Sequence, residues 1–199
     1  LLFRLLSQPE FGLEERKIIE ILEAVKDWID KDDDITGSGG AERAYYSTLE
    51  NPYAPKNGLL DCIDELLMIK GMTNKLYYGT KETPGLRQFL TVYGDGRINI
   101  NTAPRLVIRA LSAAITGAAA EEMDQYRRNR DNDLTHASWY KKVSGMSDIT
   151  IDSRLITTTS SLFRIVSTGT LRQMSKTVSG VVKREADRKT AKILSWKWE

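Results

Sequence analysis

The chain has almost no sulfur nucleophile and almost no imidazole. One cysteine, Cys62, among 199 residues excludes an internal disulfide and any cysteine-built zinc cluster. One histidine, His136, excludes a multi-histidine metal site or a paired histidine relay within one chain. No apolar run approaches the ~20 residues that a membrane-spanning helix needs. A basic excess is missing as well. The 29 Lys+Arg stand against 27 Asp+Glu, a net charge of +2, whereas chains that live on nucleic-acid phosphates usually carry a strong positive balance. There is no G-x-S-x-G elbow, no Walker loop and no G-x-G-x-x-G. What is present is 41% hydrophobic content, enough to build a core in one or two domains.

The first residues, Leu1–Leu6, are apolar except for Arg4. They lack an initiator Met, a basic start and a small-residue cleavage site, so they do not read as a signal peptide. The expectation is a piece of a longer chain.

Helices dominate the first three quarters. Ile18, Ile21, Leu22, Val25, Trp28 and Ile29 recur at three- and four-residue spacings and predict a helix over Glu14–Ile29. Similar periodicity predicts helices over Leu60–Ile69, Leu106–Ile115 and Ala118–Arg130. Trp139–Val143 reads as a short helix. Phe89–Tyr93 reads as a short strand, and Asp95-Gly96 before Ile98 and Ile100 reads as a tight hairpin. After about Asp152 the language changes to β-branched and aromatic residues. Ser161–Thr170, Lys176–Arg184 and Lys192–Trp198 read as strands, with Gly169 and Gly180 as candidate bends or bulges. Leu194, Trp196 and Trp198 alternate with Ser195, Lys197 and Glu199, the period of a half-buried strand. Helices first and strands last predict an α+β fold. The division expected is a helical region 1–155, with a short hairpin near 89–101, followed by a β-sheet region 156–199.

Four local features could carry function. Asp27, Asp30, Asp32, Asp33 and Asp34 crowd five carboxylates into eight positions, with Glu42 just beyond Gly37, Gly39 and Gly40. Such groups repel unless a cation or solvent screens them. Asp30-x-Asp32-x-Asp34 has the alternation that hard cations such as Ca²⁺ use on flexible loops, and Glu42 could add a bidentate carboxylate. The spacing is not that of an EF-hand, and a solvated acidic loop is the competing reading. Ile69-Lys70-Gly71-Met72 sits between two helices like the turn of a helix-hairpin-helix. Backbone N–H groups there could bind phosphate with help from Lys70 and Lys75; the neighbouring Asp61, Asp64 and Glu65 favour a plain packing turn instead. Ile98-Asn99-Ile100-Asn101-Thr102-Ala103-Pro104 reads as a strand-to-helix joint, capped by Asn101 or Thr102. His136 lies in a polar stretch and reads as an exposed or core-edge residue.

These stretches together resemble one family, the minor pseudopilin of type II secretion called general secretion pathway protein K. The resemblance rests on Asp27-Trp28-Ile29-Asp30 and its acidic run, then Gly40-Ala41-Glu42 with Tyr45-Tyr46. Lys56-Asn57-Gly58, Asp64-Glu65-Leu66 and Ile69-Lys70-Gly71-Met72 follow. Val92-Tyr93-Gly94, Ile98-Asn99-Ile100-Asn101-Thr102-Ala103, Ser160-Ser161-Leu162-Phe163-Arg164 and Leu194-Ser195-Trp196 complete it.

The resemblance implies a pilin-like antiparallel β-sheet with a large inserted helical domain of helix-hairpin-helix (SAM-like) units that do not serve DNA binding. It implies a non-enzymatic protein at the tip of the periplasmic pseudopilus. There it would help begin and cap assembly, for export of folded proteins across the outer membrane. The implied partners are the I- and J-type minor pseudopilins in a heterotrimeric tip complex. An N-terminal hydrophobic helix, absent from this sequence, would anchor the full-length chain in the inner membrane. Calcium in the helical insert is also implied, and its ligands are assigned to Asp30, Asp32, Asp33, Asp34 and Glu42, with Asn57 as a further candidate. The rival expectation is a nucleic-acid-binding module built on the Gly71 turn. A hydrolase using metal in the acidic loop is a third class, but the sequence supplies no nearby base.

Overall fold

The apolar start of the chain contributes Leu5 and Leu6 to the core. In the computed structural model, which describes residues 1–185 and 190–198, Leu2–Leu6 forms helix α1 with Leu5 and Leu6 buried. They pack with Ile18, Ile21 and Ala110 in one apolar cluster. Arg4 donates from Nε to the Ala110 carbonyl at 2.6 Å and from a terminal nitrogen to that of Leu111 at 3.2 Å. It thereby satisfies carbonyls at a helix C-terminus that have no intrahelical partner.

Helix α2, Glu15–Ile29, follows the predicted periodicity and buries Ile18, Ile21, Ala24 and Trp28. After a short helix α3, Arg43–Tyr46, the chain departs from the expected Leu60–Ile69 α-helix. The segment forms only a 3₁₀ turn, Ile63–Met68. The reason lies in Glu65, whose Oε1 accepts the backbone N–H groups of Asp61 and Cys62 and so fixes the start of the turn at residue 63. Helix α4, Asn74–Tyr78, follows, capped by Thr73. Trp28, Tyr46, Leu66, Ile69 and Tyr77 close a second cluster between these elements.

The expected strand at Phe89–Tyr93 and the hairpin at Asp95-Gly96 are absent among the described residues. Ile98–Asn99 is instead strand β1, paired in parallel with β2, Ile156–Thr157, far downstream. The period-two pattern yields a strand at Ile98–Asn99 only, and its partner is non-local, which a turn signal cannot reveal. Helices α5, Arg105–Leu111, and α6, Gly117–Arg128, are bracketed by this pairing. No side chain caps α5; Asn101 is engaged elsewhere. It accepts from Trp139 Nε1 at 2.7 Å and donates to the carbonyls of Leu134 and Thr158. Trp139 belongs to a 3₁₀ turn, Ala137–Lys142, and stacks on Tyr126 with ring centroids 5.5 Å apart. Ile100, Ile108, Met123 and Met146 are fully buried in this third cluster.

Strands β3, Leu162–Leu171, β4, Met174–Glu185, and β5, Thr190–Trp198, form one antiparallel sheet in the order β3-β4-β5. The register slips between Val181 and Val182, one residue past the glycine read as a bulge signal. Paired residues share a face. One face therefore carries Phe163, Ile165, Met174, Ile193, Trp196 and Trp198, all of them exposed. The opposite face carries Ser179, Val181, Ser195 and Lys197. Glu199, the last residue of the alternation read from sequence, lies outside the described residues. No helix among the described residues is long and apolar enough to cross a membrane.

Candidate metal centre

The acidic group sits where α2 ends. Asp27 points from the apolar side of that helix and is fully buried. Both its carboxylate oxygens accept the Thr36 N–H, at 3.1 and 3.2 Å. Asp30 is the C-cap residue, where the backbone leaves helical geometry. Its Oδ1 is buried without a hydrogen-bond partner, and Lys26 Nζ stands 3.9 Å from Oδ2. Glu42 enters from the far side of the glycine loop and is 2% exposed, with neither carboxylate oxygen receiving a donor. One oxygen from each of Asp27, Asp30 and Glu42 lies within 4.8 Å of the others.

This is an expensive arrangement, which Lys26 offsets only in part from 3.9 Å. Burial, followed by the charges of Asp27, Asp30, Asp33 and Asp32, pushes the Glu42 carboxyl up to about 7. Burial and then Asp32 and Asp27 push Asp30 up as well. Buried charge normally finds a partner or a metal.

Asn57 joins from 25 positions away. Its Nδ2 donates to the Asp32 carbonyl at 3.1 Å and to Asp33 Oδ1 at 3.4 Å, while its Oδ1 is buried without a donor. Its backbone is left-handed, with φ of 48°. Asp32 Oδ1 accepts the Asp34 N–H, a local turn that faces solvent. Of the six residues assigned from sequence, Asp30 and Glu42 thus meet in the carboxylate group. Asn57 clamps Asp32 and Asp33 beside it, and Asp34 is exposed. Asp27 completes the group. It belongs to the acidic run read from sequence but not to the ligands assigned there. The missed signal is a carboxylate lodged between Ala24 and Trp28 on the apolar face.

The glycines place the loop over these groups. Gly39 N–H donates to Glu23 Oε2 at 2.7 Å, and Lys26 Nζ donates to Thr36 Oγ1 at 2.9 Å. A Cβ on Gly40 would sit 2.2 Å from Asp27 Oδ2 and 2.5 Å from the Thr36 carbonyl. Gly40→Ala should therefore cost about 1–3 kcal/mol by forced displacement. Gly117→Ala is the control, since that position opens onto free space in the first turn of α6 and should be neutral or slightly stabilising. Equal denaturation midpoints for the two variants would contradict the tight loop.

The Gly71 turn is occupied differently. Gly71 takes a left-handed φ of 84°, as a sharp turn requires. Lys70 Nζ donates to the Gly40 carbonyl at 3.1 Å and lies over the Tyr45 ring. It ties the turn to the acidic loop instead of standing free for phosphate. His136 is exposed at the start of a 3₁₀ turn.

A helical body followed by an antiparallel three-stranded sheet, with buried carboxylates at one helix end, defines an α+β protein with a built oxygen-donor centre. Comparison with known proteins shows what the chain resembles. Residues 2–94 match the model for the first domain of type II secretion system protein K. A stretch of 73 residues is 38% identical to type II secretion system protein K of Aeromonas hydrophila; it covers 37% of this chain and 22% of that protein. The match thus spans about a fifth of that relative's length. The whole chain superposes on a chain of the crystal structure titled the GspK-GspI-GspJ complex from the enterotoxigenic Escherichia coli type 2 secretion system. The TM-score is 0.74 and the identity 19%, over 100% of this chain and 68% of that one. The sequence likeness to protein K of type II secretion lies in residues 2–94, and the likeness in fold to a chain of that complex extends over the whole chain.

Proposed function

We propose that this chain is the periplasmic part of a minor pseudopilin that sits at the pseudopilus tip with I- and J-type minor pseudopilins. The observation that carries the reading is the likeness in fold of the whole chain to a chain of a K–I–J complex, joined to the protein K match at residues 2–94. Its role is structural, not enzymatic: the helical body caps the tip while the sheet joins the assembly. The sheet supports this by exposing Trp196 and Trp198 at 58% and 73%, with Ile165 and Met174 on the same face. An apolar face of that kind needs covering in an assembly. The full-length chain would be held in the inner membrane by a hydrophobic helix preceding Leu1. The Gly71 turn, between the 3₁₀ turn Ile63–Met68 and α4, and the pair α5 and α6 are assigned to the SAM-like insert.

We further assign a structural calcium ion to the carboxylate group. Asp27, Asp30 and Glu42 would hold it, with Asn57 Oδ1 and the neighbouring Asp32 and Asp33 supplying further oxygens, while Asp34 stays at the exposed rim. The donor set is all oxygen and anionic, which fits a hard cation, and no histidine or cysteine is near enough to favour a softer one. The ion would neutralise buried charge; the chain's own residues fix the loop around it.

The assembly is tested by mixing this chain with the I- and J-type soluble domains of the same secretion system. Light scattering should show a ternary mass. Three separate monomers at tens of micromolar would overturn the reading. A nucleic-acid role is not favoured, because Lys70 is already bonded inside the fold.

A further inference from the structure

Among the described residues, none of the three buried clusters contains a residue of β3, β4 or β5. Polar contacts join the helical body and the sheet at two places. At one end the connector Thr158–Ser161 is pinned. Thr158 donates to the Thr135 carbonyl, Asn99 donates to Ser160 Oγ at 2.8 Å, and Arg184 N–H donates to the Ser161 carbonyl at 2.7 Å. These bonds make a pivot at the root of the sheet. At the far end of the last strand, Lys197 Nζ reaches Asp64 Oδ2 at 2.7 Å, across 133 positions of sequence. Asp64 is held in place from below. The fully buried Tyr77 donates its hydroxyl to Asp64 Oδ1 at 2.5 Å.

We propose that Asp64 and Lys197 form a salt-sensitive latch that fixes the orientation of the helical body on the sheet, with Tyr77 positioning Asp64. The geometry fits a latch that can open. Lys197 is 54% and Asp64 46% exposed at the side chain, so mobile ions reach the pair and screen it. Exposed pairs are weak, and one such pair changes a two-state population by about two- to fivefold. Segments joined by polar contacts move relative to one another by default. The pivot therefore supplies the hinge, and the latch supplies the bias. The inference concerns the chain alone and stands or falls independently of its assembly partners.

The test is a distance distribution between spin labels at Glu50→Cys on the body and Leu171→Cys at the hairpin tip, in a Cys62→Ser background. The parent should give one narrow distance at low salt. Lys197→Glu should raise the displaced population two- to fivefold, and half-molar NaCl should do the same to the parent. An unchanged distribution in Lys197→Glu overturns the latch. A change in Lys197→Glu with a parent indifferent to salt also overturns it, because the effect then comes from damage to β5. Far-ultraviolet circular dichroism and melting curves of each labelled protein confirm that folded chains are compared.

Discussion

Millimolar calcium should raise the melting temperature of chelator-treated protein by about 3–15 °C. An ion that binds only the folded state stabilises it by mass action. At 1 mM free ion, dissociation constants of about 10⁻⁴ to 10⁻⁶ M give about 1.4–4 kcal/mol. A domain of this size melts about 2–4 °C higher per kcal/mol. The physical basis is the meeting of Asp27, Asp30 and Glu42 in a buried setting with donor-free oxygens. Glu42→Gln sharpens the test because its two effects have opposite signs. In chelator it removes one charge from a mutually repelling group, so it should melt at or above the parent. In calcium it removes a bidentate anionic ligand, so most of the calcium shift should disappear. The two melting curves of the variant should nearly coincide while those of the parent separate. Asp34→Asn should keep the shift, since Asp34 stands exposed at the rim. A parent whose melting temperature is the same in calcium and in chelator contradicts a resident ion.

The contrast between Asp27 and Asp34 shows what the sequence could and could not convey. The acidic run was visible at once, because five carboxylates in eight positions are conspicuous. Which of them turn inward depends on where α2 ends and on how the glycine loop returns, and neither is written in the spacing. Asp34 continues the attractive alternation but lies on the solvent side of its turn. Asp27 breaks the alternation but lies on the buried face of the helix. The fold followed the same rule. Local periodicity located α2 and α6 and the three long strands to within a few residues. The parallel pairing of Ile98 with Ile156 was invisible, because nothing within ten residues of Ile98 encodes a partner 58 positions away. The hairpin read there was the cheaper local solution, and tertiary burial of Ile100 overrode it. Glu65 similarly converts a good helical pattern into a 3₁₀ turn by bonding two backbone N–H groups that the periodicity does not describe.

Arg127→Met should destabilise the chain by about 3–5 kcal/mol, as breaking a buried ion pair from one side does. In sequence, Arg127, Arg128 and Arg130 beside Asp131 and Asp133 read as a solvated helix end, and for Arg128 that holds: its side chain is 77% exposed. Arg127 turns inward. Its Nε donates to Asp124 Oδ1 at 2.9 Å, and one terminal nitrogen donates to the carbonyls of Ile100 and Ala103 at 3.0 and 2.8 Å. Only 10% and 7% of the Arg127 and Asp124 side chains are exposed. Methionine fills much of the volume but leaves Asp124 Oδ1 and two carbonyls without their donor, with only the exposed Arg128 remaining 2.8 Å from Oδ2. The removed contacts join α6 to the strand-to-helix joint, so β1 and α5 should loosen with it. Acid behaviour gives the second readout. Burial pushes the Asp124 carboxyl up, but Arg127 and then Arg128 outweigh it and hold the group below the ordinary value of 3.8. A depressed carboxyl contributes stability that is present above the unfolded value and is lost as pH falls through the folded one. The parent should therefore lose this contribution only below about pH 4. Arg127→Met should lack most of it already at neutral pH and so show a shallower acid loss. Denaturant midpoints across pH 2–7 measure both effects. A variant within 1 kcal/mol of the parent at neutral pH, with the same acid slope, would return Arg127 to the solvated helix end that its sequence neighbours suggest.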